Sequence, residues 1–136
     1  MRIENNKEIV RRYQRAINDQ EWDALDCLLA PDLATPLMLP GFPSGREGAK
    51  AIGVATLQAW PDFHTEIDEL IAEDDRVVAL VTMTGTAVKD GFGVPGTGKG
   101  FTMVGVYVVR IVDDMIVEHW GVEDALGMLG QIGALS

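Results

Sequence analysis

The last third of the chain carries ionisable side chains at the end of a strand-like segment. His119 closes an apolar run, and Asp124 follows it just before a short amphipathic segment. A histidine with an unperturbed pKa can take up and release a proton near neutral pH. Tyr107, on the preceding run, has a phenol that can donate to a ligand oxygen. These residues predict a site for acid/base chemistry, although Asp124 also stands where an N-cap of the last helix is expected.

The elements that must position these groups are two strands joined by a tight turn. β-Branched residues flank the pair 113–114, which predicts a hairpin with a two-residue loop. In a regular ladder Val108 then faces His119. Side chains alternate between faces, so this register puts His119 on one face and Tyr107 with Trp120 on the other. A bulge is needed for Tyr107 and His119 to line the same pocket.

Hydrophobic spacing predicts helices first and antiparallel strands afterwards. The predicted elements are helices over residues 4–19, 22–29 and 45–60, strands over 63–71 and 77–88, the C-terminal hairpin and a short last helix. Segments 31–45 and 89–100 are rich in proline and glycine, and we expect them to border a pocket. This order predicts an α+β fold, in which a curved sheet wraps around helices in a single domain over residues 1–136.

Charge and composition exclude several classes of function. The chain has 11 basic and 21 acidic residues and a formal net charge of −10. Such a surface repels phosphate backbones and anionic membranes, so we expect neither nucleic acid nor a membrane as partner. Cys27 is the one cysteine and lies in an apolar helical run, which favours a buried thiol and a reducing compartment. Residues 1–14 contain no apolar targeting segment, and we expect a cytoplasmic protein.

Several short motifs together resemble the SnoaL-like polyketide cyclases of the nuclear-transport-factor-2-like superfamily. The motifs are Ala30-Pro31-Asp32, Pro61-Asp62-Phe63-His64, and the runs 91–98, 110–114, 116–120 and 124–133. The resemblance covers nearly the whole chain and implies a cone-shaped barrel of an antiparallel or mixed sheet around the N-terminal helices. Members of this fold commonly form homodimers through the sheet. The resemblance also implies an enzyme without a cofactor that closes a ring of a hydrophobic polyketide by aldol condensation.

The family's pocket pattern matches this chain at one position and departs from it at three. The family uses a strand-end histidine, an aspartate two residues later, a second histidine before the hairpin arginine, and an asparagine after the Pro-Asp motif. His119 is the match, while the other positions fall on Gly121, Tyr107 and about Thr35. By the same resemblance, Tyr13 on the first helix suits a donor to an enolate oxygen.

Large aromatic side chains supply flat apolar area suited to a polycyclic ligand. The predicted substrate-binding residues are Tyr13, Thr35, Trp60, Phe63 and Trp120, with Phe92 and Phe101 as further candidates. Each aromatic residue can instead be an ordinary core or dimer contact. The two histidines, His64 and His119, are far apart and lack a recognisable ligand spacing, so we expect no metal.

Three functions remain open from the sequence. The first is an enzyme without a cofactor, a cyclase, isomerase or hydratase, in which His119 moves a proton and Asp124 assists it. The second is a protein that binds a hydrophobic small molecule without turnover, which Gly121 favours because the family's acid is missing there. The third is a dimerisation module, because the valines at 104, 106 and 108 would otherwise be exposed.

Overall fold

The computed structural model describes residues 2–35 and 39–135 of the chain. The elements, in chain order, are α1 (Arg2–Asn18), a 3-10 turn (Trp22–Ala24), α2 (Leu25–Leu28), β1 (Leu29–Ala34), α3 (Gly45–Ala59), β2 (His64–Glu73), β3 (Arg76–Thr86), β4 (Gly100–Val112), β5 (Met115–Glu123) and α4 (Ala125–Gln131). The strands form one sheet in the order β1-β5-β4-β3-β2. β1 runs parallel to β5, and the other neighbours are antiparallel. The predicted α+β fold is confirmed, with a curved mixed sheet that stays open instead of closing into a barrel.

Helix α1 covers one face of this sheet, which we call the inner face. Its buried residues Ile9, Val10, Tyr13 and Ala16 recur at helical spacing and form one apolar side. They meet the buried alternate positions of the strands. These positions include Val77, Ala79 and Val81 of β3 and Tyr107, Val109 and Ile111 of β4. The intervening positions of the strands form the outer face.

The side-chain amides of Asn18 and Gln131 connect helices to the sheet, because each makes the two backbone hydrogen bonds that a neighbouring strand would make. Asn18, the last residue of α1, donates from Nδ2 to the Thr65 carbonyl at 2.9 Å and accepts from the Thr65 amide at 3.1 Å. Gln131 at the end of α4 makes the same pair with Thr102, at 2.7 Å in each direction. Backbone groups of β2 and β4 that no strand pairs are therefore satisfied by helix side chains.

The segment around Pro31 differs from its prediction. The sequence predicts a helix up to residue 29 and then a loop, whereas the structure ends α2 at Leu28 and continues into β1. Proline is tolerated in this strand because β1 is at the sheet edge and pairs only with β5. Cys27 is exposed on the single-turn helix α2, so the prediction of a buried thiol is wrong. Residues 36–38, part of the predicted pocket-bordering loop, lie outside the described residues.

The C-terminal hairpin forms as predicted, but its register changes after two pairs. Asp113 and Asp114 have φ of 52° and 62°, as a primed two-residue turn requires. Beyond Ile116 one extra residue, Val117, enters β5, and Val109 of β4 pairs with His119. This bulge makes the predicted pairing of Val108 with His119 wrong.

Charge explains why the bulge is favoured. In a regular ladder Glu118 would face Val109 on the inner face, where an unpaired carboxylate costs several kcal/mol. The extra residue instead pairs Glu118 with Arg110. On the outer face the Glu118 carboxylate lies 3.4 Å from Arg110 Nη1 and 3.5 Å from Arg76 Nη1. Because of the extra residue Val117, the Glu118 carboxylate forms ion pairs on the outer face instead of lying unpaired on the inner face. The same shift turns His119 inward.

None of the helices in the described part of the chain has the length and apolar character needed to cross a bilayer.

Candidate functional site

Three ring side chains meet on the inner face, where α1 lies over β4 and β5. The Tyr107 ring stacks on the His119 ring, with centroids 5.1 Å apart and planes 29° apart. The Tyr13 ring from α1 lies 5.7 Å from His119 and 6.0 Å from Tyr107, with its edge towards the latter. The bulge thus brings together the two residues that a regular ladder would separate.

A chain of hydrogen bonds fixes the Tyr107 end of this cluster. The Tyr107 hydroxyl donates to Gln14 Oε1 at 3.1 Å, and Gln14 Nε2 donates to Asn18 Oδ1 at 3.3 Å. Asn18 is in turn held by the backbone of Thr65. Sequence reasoning missed Gln14, although a polar residue beside Tyr13 on the apolar side of α1 was a signal for a buried partner.

Burial controls the charge state of all three rings. Desolvation raises the pKa of the Tyr13 and Tyr107 hydroxyls above their ordinary value of 10. Desolvation also lowers the pKa of the His119 imidazole from 6.5 to about 4. At neutral pH the cluster therefore consists of two phenols and a neutral imidazole.

Two of these groups, the Tyr13 hydroxyl and the His119 ring, have hydrogen-bonding capacity that the described residues do not use. Within residues 2–35 and 39–135, no other residue makes a hydrogen bond with the Tyr13 hydroxyl or the His119 ring. A phenol can donate a hydrogen bond, and a neutral imidazole can donate one or accept one. The cluster can accordingly hold a ligand oxygen by neutral hydrogen bonds.

Asp124 is occupied at the junction between β5 and α4. Its side chain caps α4, because Oδ1 accepts from the Gly127 amide at 2.9 Å. A Cβ on Gly127 would collide with this carboxylate, so the glycine makes room for the cap. Asp124 therefore has the helix-cap role, one of its two predicted roles. A catalytic role for Asp124 stays a prediction.

A second group of aromatic rings lies where α3 ends. Trp60 is buried, and its ring centroid is 6.0 Å from Phe63, 5.8 Å from Phe101 and 5.7 Å from Phe92. Asp62 fixes this corner, since it accepts from the amide and the hydroxyl of Thr86 at 2.9 and 2.7 Å. The predicted binding residues Trp60 and Phe63 therefore lie together.

The structure does not bring Trp120 or Thr35 to these clusters. Trp120 pairs with Val108 and lies on the outer face, partly exposed, because its neighbour His119 points inward. Trp120 and His119 thus lie on opposite faces, as predicted, and a substrate-binding role for Trp120 stays a prediction. Thr35 follows β1 and is partly buried beside the residues outside the described part.

The described residues hold no group of three His, Cys, Asp or Glu side chains that could bind a metal ion. His64 is exposed and pairs with Glu66, Nε2 to Oε2, at 3.2 Å.

With this geometry in place, the comparisons with known proteins identify the family. The sequence matches the SnoaL-like polyketide cyclases over residues 7–132. The chain belongs to this family. It is 28% identical over 130 residues to the aklanonic acid methyl ester cyclase DauD of Streptomyces sp. (strain C5), and the match covers 93% of this chain and 80% of that protein.

Solved structures of similar proteins have the same fold as this chain. TsrD from Streptomyces laurentii superposes with a TM-score of 0.87 at 28% identity, covering 96% of both chains. IdmH from Streptomyces antibioticus superposes with a TM-score of 0.84 at 29% identity, covering 94% of this chain and 98% of that one. The cone-like fold predicted from the resemblance is thereby confirmed.

Gly121, at the family's aspartate position, leaves no room for a side chain in this member of the SnoaL-like family. Gly121 pairs with Tyr107. A Cβ there would lie 2.7 Å from the Val106 carbonyl oxygen and 2.9 Å from the Tyr107 Cβ. Close backbone packing at position 121 therefore accompanies the absence of the family's aspartate there.

We predict that Gly121→Ala lowers the free energy of unfolding by about 1–3 kcal/mol, because the ladder must open to admit the methyl group. Gly100→Ala is the control, since the nearest atom to its added Cβ is 3.6 Å away. Its effect should stay within about 0.5 kcal/mol. Urea unfolding of both variants measures the difference, and equal effects would contradict the close packing at Gly121.

We predict a pH-dependent contribution of His119 to stability. Between pH 6.5 and 4 the unfolded chain holds a proton on this imidazole that the folded chain does not hold. The free energy of unfolding should therefore fall as the pH decreases through this window, by at most about 3 kcal/mol. The facing side chains, Tyr13 and Tyr107, do not titrate there.

The measurement is urea unfolding of the wild type and His119→Gln at several pH values from 4 to 7. The stability difference between the two proteins should change with pH within this window. A difference independent of pH would show that the His119 ring is not desolvated.

Proposed function

We propose that this protein is a cyclase or isomerase without a cofactor that acts by acid/base chemistry on a hydrophobic, polyketide-like carbonyl compound. Family membership supports the class of reaction. The observation that carries the proposal is the Tyr13, Tyr107 and His119 cluster, because neutral donors on a desolvated face are suited to a carbonyl oxygen that becomes an enolate.

The chemistry follows from the protonation states. Tyr13 keeps its proton because burial raises its pKa, so its hydroxyl donates to the substrate oxygen. Neutral His119 donates a second hydrogen bond from its ring, as the neutral histidine of triosephosphate isomerase does to its substrate carbonyl. Tyr107 keeps the His119 ring in place by stacking, and Gln14 keeps Tyr107 in place. Charge developing on the oxygen is thus stabilised by neutral donors of this chain.

The aromatic corner at the end of α3 suits the rest of such a substrate. Trp60 and Phe63 present ring faces, and the buried Trp60 Nε1 has no hydrogen-bond partner among the described residues. A buried unpaired N–H costs about 1–3 kcal/mol, which a ligand oxygen would recover. We assign Trp60 and Phe63 to substrate binding, and Thr35 stays a predicted binding residue.

A second candidate function is binding without turnover in an accessory protein of the same fold. Gly121 favours it, because the family's acid/base position carries no side chain. A protein that only binds its ligand would show no turnover in the wild type or in any variant. Removal of a proton-transfer or oxyanion group would leave its affinity for the ligand nearly unchanged.

We predict that the protein cyclises aklanonic acid methyl ester, the compound in the name of the relative DauD, or a close analogue of it. Tyr13→Phe should lower kcat about 10- to 1,000-fold with little change in KM, because only the oxyanion donor is removed. Steady-state kinetics and calorimetric binding of both proteins measure this. Binding without product from the wild type would favour the accessory function.

The outer face supports a homodimer as the assembly of this protein. Val104 and Val122 are 58% and 66% exposed, and Trp120 lies next to them. Leu80, Val106 and Val122 line a shallow groove that also borders Glu123 at the end of β5. An exposed apolar surface of this kind on a sheet is typical of an association surface, and we propose a second copy of this chain as its partner.

We predict that Val122→Asp makes the protein monomeric, because a carboxylate in an apolar interface would be desolvated without a partner. Val88→Asp is the matched control, since Val88 is 54% exposed but follows β3 in a loop. Analytical ultracentrifugation should show dimers for the wild type and the control. A monomeric wild type would overturn the assignment.

A further inference from the structure

One carboxylate on the inner face, that of Glu123, makes no contact that fixes the fold among the described residues. Glu123 is the last residue of β5 and pairs with Gly105 of β4. The bulge that turns His119 inward also turns Gly121 and Glu123 inward, because side chains alternate along the strand. His119, Gly121 and Glu123 thus form one row on the inner face.

Glu123 lies beside apolar neighbours on the inner face, and the groove that it borders at the end of β5 also contains Asp68 and Asp124. The residue opposite is a glycine, and a Cβ on Gly105 would lie 2.8 Å from Met83 Cε and 3.3 Å from Glu123 Cβ. The Met83 methyl group therefore lies over Gly105 beside the stem of Glu123. A methionine side chain is flexible enough to move aside for a ligand.

No cation compensates for this carboxylate. Desolvation alone raises the pKa of Glu123 above its ordinary value, although the residue as a whole is exposed. Among the described residues, none forms an ion pair or a side-chain hydrogen bond with it. A partly desolvated, unpaired carboxylate does not stabilise a fold, and such groups are common at functional sites.

At the two neighbouring positions of the family pattern, the carboxylate caps a helix or is missing. The Asp124 carboxylate is engaged by the Gly127 amide. Gly121, where the family pattern has its aspartate, has no space for a side chain. Glu123 is the next inward position, about 7 Å further along β5, and its side chain is one methylene longer than that of aspartate.

Resting on the proposed function, we propose that Glu123 is the general base of this site, in place of the carboxylate that Gly121 lacks. His119 and Glu123 are four residues apart on β5, about 13 Å between Cα atoms, and the intervening inward position, Gly121, has no side chain between them. The inward row then has an oxyanion donor at one end and a base at the other.

The reaction balances without a further reagent. Glu123 takes the proton from the carbon next to the ester carbonyl, and the C–H electron pair forms an enolate whose oxygen accepts from Tyr13 and His119. The enolate carbon forms a bond to a second carbonyl carbon of the same molecule, and the π pair of that carbonyl moves to its oxygen. This alkoxide takes the proton back from Glu123, which restores the carboxylate.

The test compares the wild type with Glu123→Gln and Glu73→Gln, using aklanonic acid methyl ester as the probe. Glu73 is the control because it is also an exposed glutamate at a strand end, on β2. Ring closure is followed by chromatography, and deuterium uptake at the α-carbon in D2O by mass spectrometry. Thermal unfolding checks that each variant is folded.

We expect Glu123→Gln to lose at least about 100-fold in kcat/KM and to lose deuterium uptake, with Glu73→Gln like the wild type. The wild-type kcat/KM should also fall as the pH decreases, with a midpoint above the ordinary pKa of a glutamate, and this decrease should vanish in Glu123→Gln. A folded Glu123→Gln variant with wild-type ring closure would overturn this inference and leave the proposed function standing. A wild type that neither closes the ring nor exchanges the α-hydrogen would overturn both.

Discussion

The extra residue Val117 in β5 is the constraint on which the site depends. It lets Glu118 reach Arg110 on the outer face and places His119 beside Tyr107 on the inner face. The same shift sends Trp120 outward and Glu123 inward. The ion pairs of Glu118 on one side of the sheet thereby favour the register that decides which side chains face α1 on the other side. Because a register change of one residue exchanges the two faces, the site and the outer association surface are consequences of the same bulge.

Desolvation without counter-charges gives the inner face its chemical character. The pKa of each tyrosine and of Glu123 is raised and the pKa of His119 is lowered, so every shift favours the neutral form. Cations lie elsewhere, for example in the ion pair of Arg110 with Asp75 at 2.9 Å. A face of this kind is suited to neutral hydrogen-bond donors that stabilise a developing oxyanion. It is poorly suited to permanent ion pairing with a charged substrate, which agrees with a hydrophobic carbonyl compound as ligand.

Periodicity was enough to predict the helices, the antiparallel strands and the turn at residues 113–114, because each of these is set by local sequence. It failed at β1, because a proline such as Pro31 argues against a strand unless the strand lies at a sheet edge. Whether a strand lies at an edge depends on the whole sheet and cannot be read from the local sequence. Periodicity also failed at Val117. A regular ladder is the default expectation, and the signal against it was the charge of Glu118 opposite Val109. Gln14 on the apolar side of α1 indicated a buried polar partner, but that partner, Tyr107, is distant in sequence, so no local pattern could identify it.

The close approach of Gly121 to the Tyr107 backbone limits where this family member can carry a carboxylate on β5. Where the family pattern places an aspartate opposite a histidine, this chain pairs a glycine with a tyrosine, and the tyrosine backbone occupies the space that a side chain at 121 would need. Restoring the aspartate by substitution would therefore strain the ladder instead of restoring a base. A carboxylate can enter the same inward row only where its partner on β4 leaves room. Gly105 opposite Glu123 provides such a place, so the backbone itself limits where a base can stand on β5.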